Sequence, residues 1–205
     1  MKLSQLSCTE FTDALDSKEP VPGGGGASAL AGALGAALAG MVCSLTVGKK
    51  KYAEFEPEIR DIWQKASDIK TKLTAAIDRD AECFAPLAAA YSLPKDDPSR
   101  DEIMESALKT ACLPPLEIME LAAQTVELLA VLAEKGSTLA VSDVGVGAAM
   151  CAAAIKGGSL NVYINTRLMK DRDCAEKINR RADELSAKYV PMAERIFEDV
   201  SGKLR

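Results

Sequence analysis

The sequence contains no histidine. That absence excludes serine–histidine–aspartate and cysteine–histidine nucleophilic sites and argues against a catalytic zinc, so no metal site is assigned. Proton transfer has to run through a carboxylate, lysine, tyrosine, cysteine or water. Aromatic residues are scarce, at 4% against 48% hydrophobic overall, so alanine, leucine, valine and isoleucine must fill the core, which favours helix packed on helix. No CxxC pair occurs among the six cysteines, at 8, 43, 83, 112, 151 and 174, and several lie in apolar runs. They read as reduced core thiols in a cytoplasmic protein. A basic patch is missing too: the net charge is −5 with both signs mixed along the chain, so neither nucleic acid nor a membrane surface is expected as a partner. The opening residues lack a basic segment leading into an apolar run, so no secretory signal is expected.

What is present is helical patterning. At 205 residues, one domain over 1–205 is expected. Ser7-Cys8-Thr9-Glu10 offers a capping box ahead of a short helix ending near Ser17. Pro20 to Gly26 then predicts a break, because proline removes donors and glycine is entropically expensive to order. Ala27 to Val47 carries no charge and precedes Gly48-Lys49-Lys50-Lys51, a pattern shared with a membrane span and its basic flank. Its many alanines and glycines, and the charge of the other segments, favour a buried helix. Gly32, Ala36 and Gly40 recur at four-residue spacing, which lets another helix come close and marks this as the central or dimer-forming helix.

A long helix is predicted over about 54–91, with Pro57 in its first turn and a kink at Pro86. Ile59, Ile62, Ala66, Ile69, Leu73, Ala76, Asp80, Cys83 and Leu87 follow steps of three and four, the spacing of one buried face. Asp80 alone interrupts it, and a carboxylate there destabilises unless it is paired or used. Further helices are predicted from Ser99 to a break at Pro114-Pro115, from Leu116 to Lys135, and from Ser142-Asp143 to a stop at Gly157-Gly158. Two more follow, from Ser159 to about Met169 and from about Asp171 to Val200. The expected fold is an all-α, single-domain bundle of seven or eight helices around a buried Gly/Ala-rich helix, forming a dimer.

Several residues could carry chemistry. The glycine run, including Gly24 and Gly25 and followed by Ser28, puts bare backbone at a helix N-terminus, where N–H groups favour an anion or carbonyl; a tight turn is the plain alternative. Lys49, Lys50 and Tyr52 stand at the other end of that helix, as a solvated cap or as a seat for a substrate carboxylate tail. Asp80 is either functional or an interhelix lock. Ser142 and Asp143 are either an N-cap or a buried carboxylate site. Asn161 and Asn165, at i and i+4, share a helix face and could join helices or read a heterocycle.

These segments occur in the order of a known family. Pro22-Gly23-Gly24-Gly25, Gly35-Ala36-Ala37-Leu38, Thr46-Val47-Gly48-Lys49-Lys50, Asp78-Arg79-Asp80-Ala81-Glu82-Cys83-Phe84, Ser142-Asp143-Val144-Gly145 and Asn161-Val162 with Ile164-Asn165 together resemble the cyclodeaminase/cyclohydrolase family of folate one-carbon metabolism. Arg79, Gly147 and Gly26 depart from its pattern. The resemblance implies a homodimer that acts on a tetrahydrofolate derivative and has no cofactor beyond that substrate. The expected reaction is hydrolysis of 5,10-methenyltetrahydrofolate to 10-formyltetrahydrofolate. The alternatives are a formimidoyltetrahydrofolate cyclodeaminase releasing ammonia and a non-catalytic folate-binding helical protein. No formiminotransferase domain is expected ahead of it. Asp80 or Asp143 would stabilise the cationic one-carbon unit and move protons, the asparagines would orient the pterin, and Lys49 or Lys50 would meet the glutamate tail.

Overall fold

A computed structural model describes residues 2–205. Among them are one short helix, α1 (Cys8–Leu15), and six longer ones: α2 (Gly24–Ser44), α3 (Glu56–Tyr91), α4 (Arg100–Ala111), α5 (Leu113–Lys135), α6 (Val141–Thr166) and α7 (Arg172–Leu204). Three short 3-10 turns, Leu3–Gln5, Lys50–Phe55 and Thr138–Ala140, complete the described residues, which contain no strand. The capping box of α1 forms as its sequence dictates, with Ser7 and Glu10 each accepting from the other's backbone N–H. On α3 the predicted stripe is buried from Ile59 to Ala76 and again at Leu87, and the helix runs on through Pro86.

Helix α2 packs against α3 on one flank and α6 on the other, α7 lies beyond α6, and α5 touches all four from beneath. The main core, with Val42, Ile59, Met119, Leu129 and Ile155 fully buried, sits between α5 and this layer. The two middle helices are antiparallel, since Gly35 of α2 meets Cys151 of α6 while Ser28 meets Gly157. They come close because neither has bulk at the contact. A Cβ on Gly35 would stand 2.5 Å from Cys151 Sγ and 3.0 Å from the Gly147 carbonyl. Both middle helices are long and apolar enough to cross a membrane by length and composition, and here they pack side by side over the core.

Four local expectations are corrected. The glycine run does not hold α2 off until Ala27: the helix starts at Gly24 with Gly23 as N-cap. Pro114 and Pro115 do not end a helix either; they occupy the first turn of α5, where a missing N–H is harmless, and Cys112 alone joins α4 to α5. Ser142 is not an N-cap, because α6 begins at Val141 after Ala140. Gly157-Gly158 does not stop a helix, and α6 passes through both. A Cβ on Gly158 would lie 2.6 Å from Met119 Cγ and 3.1 Å from the Pro115 carbonyl, so this glycine serves close packing on α5. Gly158→Val should therefore lower unfolding stability by about 1–3 kcal/mol in urea titrations, as overpacking does, instead of stabilising α6 through better helix propensity.

Candidate functional site

The start of α2 leaves peptide groups unsatisfied. Its first intrahelical bond runs from Ala27 N–H to the Gly23 carbonyl at 3.0 Å, so the N–H groups of Gly24, Gly25 and Gly26 have no partner within the helix. Gly23 has no side chain to cap them. The turn is faced from α3: the Asp80 carboxylate projects from the buried stripe toward it, and the Gly26 N–H favours its charged form. The carboxylate lies so close over the first turn that a Cβ on Gly25 would collide with both of its oxygens. Burial pushes the Asp80 pKa up to about 6, the Gly26 N–H opposing it. Desolvation therefore outweighs the helix N-terminus, which by itself favours the anion.

From α6 the two asparagines reach the same place. Asn161 Nδ2 donates to the Gly157 carbonyl at 2.8 Å, and Asn165 Nδ2 donates to the carbonyls of Asn161 at 3.0 Å and Ala111 at 3.2 Å. A carbonyl accepts only from the amide nitrogen, so each side chain is oriented and its Oδ1 is the free group. The Ala111 bond also answers a carbonyl stranded at the end of α4.

These groups line a cavity of about 200 Å³ bounded by Pro20, Val21, Gly23, Gly24, Gly25, Asp80, Phe84, Ala111, Pro115, Asn161, Ile164 and Asn165. Asp80 is its only ionisable lining side chain among the described residues. The cavity thus combines one titratable carboxylate, free helix N–H groups, amide oxygens and apolar walls, which suits a flat polar ring carrying positive charge. A wider hollow of about 520 Å³ lies on the outer face of α3 between Lys2, Ser4, Lys70, Asp78, Arg79 and Glu82. Two of its charged groups are already engaged, Asp78 by the Ser4 hydroxyl at 2.5 Å and Arg79 by Glu117, and it is open on the outer surface, so it is the weaker candidate. Among the described residues no cluster of cysteine, aspartate and glutamate is placed to hold a metal ion.

The predicted residues thus fall into two groups. Gly24, Gly25, Asp80, Asn161 and Asn165 meet in the cavity. Ser28 lies one turn below, buried, its hydroxyl donating to the Gly24 carbonyl at 2.7 Å and so supporting the turn without lining the cavity. Lys49, Lys50, Tyr52, Ser142 and Asp143 lie at the opposite end of the antiparallel pair, about 30 Å away along a helix of 21 residues. There Lys49 Nζ donates to Ser137 Oγ at 3.2 Å, and the Tyr52 hydroxyl accepts from the Thr138 N–H at 3.0 Å. The Thr138 hydrogen bonds, with Lys51 adding a smaller effect, lower the Tyr52 pKa to about 8. Asp143 is half-buried and Ser142 exposed. One chain therefore does not bring Asp143 to Asp80, or either lysine to the cavity.

Phe84, Ile164 and the Ala111 carbonyl complete the cavity without having been singled out from sequence for that purpose. Phe84 follows Asp80 by four on α3 and Ile164 follows Asn161 by three on α6, so helical spacing from the polar residues could have found both. No side-chain signal marks a helix-end carbonyl.

Residues 7–184 match the family model described as formiminotransferase-cyclodeaminase. The chain is 39% identical over 198 residues to a methenyltetrahydrofolate cyclohydrolase of Methylorubrum extorquens, with 95% of each chain covered. It is 32% identical over 187 residues to the formimidoyltransferase-cyclodeaminase of Rattus norvegicus, covering 89% of this chain but 35% of that longer protein. A crystal structure of formiminotetrahydrofolate cyclodeaminase from Thermotoga maritima superposes with a TM-score of 0.91 at 27% identity over the whole of both chains.

Proposed function

As the chain belongs to the formiminotransferase-cyclodeaminase family, we propose that it is the folate one-carbon enzyme that hydrolyses 5,10-methenyltetrahydrofolate to 10-formyltetrahydrofolate. The observation that carries this reading is the 39% identity across 95% of both chains to a cyclohydrolase of the same extent. The cavity's chemistry supports it. The methenyl carbon bridges N5 and N10 as a cationic amidinium, and the one ionisable group among the cavity's described lining residues is the Asp80 carboxylate.

In this mechanism the Asp80 carboxylate takes a proton from water as its oxygen bonds to the methenyl carbon. The resulting neutral carbinolamine then breaks its bond to N5, which takes up a proton from Asp80 while the carbinol hydroxyl gives its own proton to solvent, leaving the formyl group on N10. Water is consumed and one net proton is released at neutral pH. A group with a pKa of about 6 is suited to both transfers near neutrality without histidine. Asn161 and Asn165 present amide oxygens to the pterin, and the bare first turn of α2 lets the ring approach Gly24 and Gly25. The protein works as a cytoplasmic homodimer with no cofactor beyond the folate substrate.

A second reading follows from the likeness to cyclodeaminases. There N10 attacks the formimino carbon and Asp80 protonates the departing ammonia. The two are separated by adding purified protein to 5,10-methenyltetrahydrofolate and following its near-ultraviolet absorbance against the spontaneous buffer rate. Accelerated loss is expected. An unchanged rate, with ammonia released from 5-formiminotetrahydrofolate, gives the deaminase; inactivity on both leaves a folate-binding protein.

A further inference from the structure

Among its described lining residues the cavity has one ionisable side chain, Asp80, and one aromatic side chain, Phe84, and both come from α3. A spacing of four places them one turn apart on the same helix face, with Cβ atoms about 5–6 Å apart. The other apolar walls are aliphatic, from Val21, Pro115 and Ile164. The chain has only four phenylalanines. Phe11 is buried in the core, Phe197 lies on the surface, and Phe55 carries the Lys135 ammonium 5.7 Å from its ring centroid. No lysine or arginine stands over the Phe84 ring among the described residues.

Packing fixes this ring in place. Phe84 lies against the buried cluster that holds Leu87, Leu108, Ala111 and Cys112, so one side of it rests on the protein and the other borders the cavity. A cation in contact with the Asp80 carboxylate therefore lies within reach of the ring, whose quadrupole attracts positive charge over about 6 Å. An aliphatic side chain of similar size would exclude water equally well but could not tell a cation from a neutral group. In the proposed hydrolysis the ligand changes charge at this point: the methenyl bridge is cationic and the formyl product is neutral.

We propose that Phe84 is a specificity-determining residue for the charge of the one-carbon unit: its ring acts beside the Asp80 carboxylate to hold the amidinium cation, and loses that hold when the bridge opens to the neutral formyl product. This assignment rests on the folate reading and adds to it a preference of the cavity for substrate over product, so that the product leaves a site that no longer attracts it. The contact is made in the ground state and weakens as the carbon loses its charge. Its removal therefore raises KM and leaves kcat nearly unchanged.

The decisive experiment grades the charge of the ring while keeping its shape. Phenylalanines carrying one, two and three fluorines, incorporated at position 84, weaken the negative ring face stepwise. Affinities are measured by titration calorimetry in the Asp80→Asn background, which spares the cation from turnover, and in mildly acidic buffer, where the methenyl ring persists. Affinity for 5,10-methenyltetrahydrofolate should fall with each fluorine, by about threefold to thirtyfold across the series. Affinity for 5-formyltetrahydrofolate, which has the same ring system and tail but a neutral one-carbon group, should stay within about twofold. With Asp80 intact, Phe84→Leu, which keeps an apolar side chain against Leu87 and Leu108, should raise KM at least about threefold and change kcat by less than about twofold, with unchanged helical circular dichroism. A flat fluorine series, or equal losses for the two folates, overturns the proposal and leaves Phe84 as a wall of the cavity. A wild type that binds neither folate is a different result: it overturns the functional reading, and this assignment with it.

Discussion

Asp80→Asn is expected to lower turnover at least tenfold, and by about a hundredfold on the scale of general acid–base catalysis, while leaving the fold intact. The amide keeps an oxygen facing the Gly26 N–H and has nearly the same volume, so the packing at the start of α2 is preserved. What disappears is the titration. In the folded chain burial holds the Asp80 pKa at about 6 against the ordinary 3.8, so the folded state keeps this proton to higher pH than the unfolded state does. Stability from this group is therefore greatest below about pH 4 and falls as pH rises to about 6, by at most about 3 kcal/mol at 1.36 kcal/mol per pKa unit. Above that range the ionised carboxylate is a burden that the asparagine variant lacks. The variant should accordingly melt at the same or a higher temperature at pH 8 and lose the decline between pH 4 and 6. For the wild type, kcat/KM should rise with pH through a single ionisation near 6. A variant that loses stability at pH 8 yet retains turnover would make Asp80 an interhelix lock and remove it from the chemistry.

Gly25→Ala should be the more damaging change to the site as a whole. Its methyl group would occupy the space of both Asp80 oxygens. Neither helix can easily retreat: α3 is anchored by the buried Leu73, Ala76 and Leu87, and α2 is held against α6 at Gly35. We expect a stability loss of about 1–3 kcal/mol in urea titrations, and a loss of turnover at least equal to that of Asp80→Asn. At Gly24 the added Cβ would stand 3.1 Å from Asn161 Nδ2, a tight contact without outright collision, so Gly24→Ala should be the milder of the two. Combining Gly25→Ala with Asp80→Ala separates the causes. Stability should return because the collision is gone, and turnover should not; a double variant as unstable as Gly25→Ala would show that the damage lies in α2 itself.

Much of this architecture was legible because it follows from local rules. The Ser7–Glu10 capping box and the steps of three and four along α3 are decided within a few residues, and the structure repeats them. The interruption of that stripe by Asp80 was the best pointer to the candidate cavity, which Asp80 lines, since a carboxylate among buried apolar residues needs a reason. Glycine misled where its local cost was weighed without its neighbours. Gly24 to Gly26 and Gly157-Gly158 are poor helix formers in isolation, yet α2 and α6 run through them because the adjoining side chains of Asp80, Ser28 and Met119 take the space a Cβ would need. The grouping of site residues was harder. Asp80, Asn161 and the glycines converge through packing that no spacing encodes, and the placement of Lys49, Lys50, Tyr52, Ser142 and Asp143 at the far end depends on α2 and α6 running in opposite directions.

The cavity also has a bearing on how the chain acquires its activity. Its walls come from the segments at 20–25, 80–84, 111–115 and 161–165, so its shortest connections already span tens of residues. Helical turns form within microseconds from local contacts, whereas contacts this distant in sequence must close long loops first. Recovery of the helical signal and recovery of a competent cavity are therefore separate events in refolding. A chain can regain nearly all its helix while the start of α2, the Ala111 carbonyl and the asparagines of α6 have yet to meet.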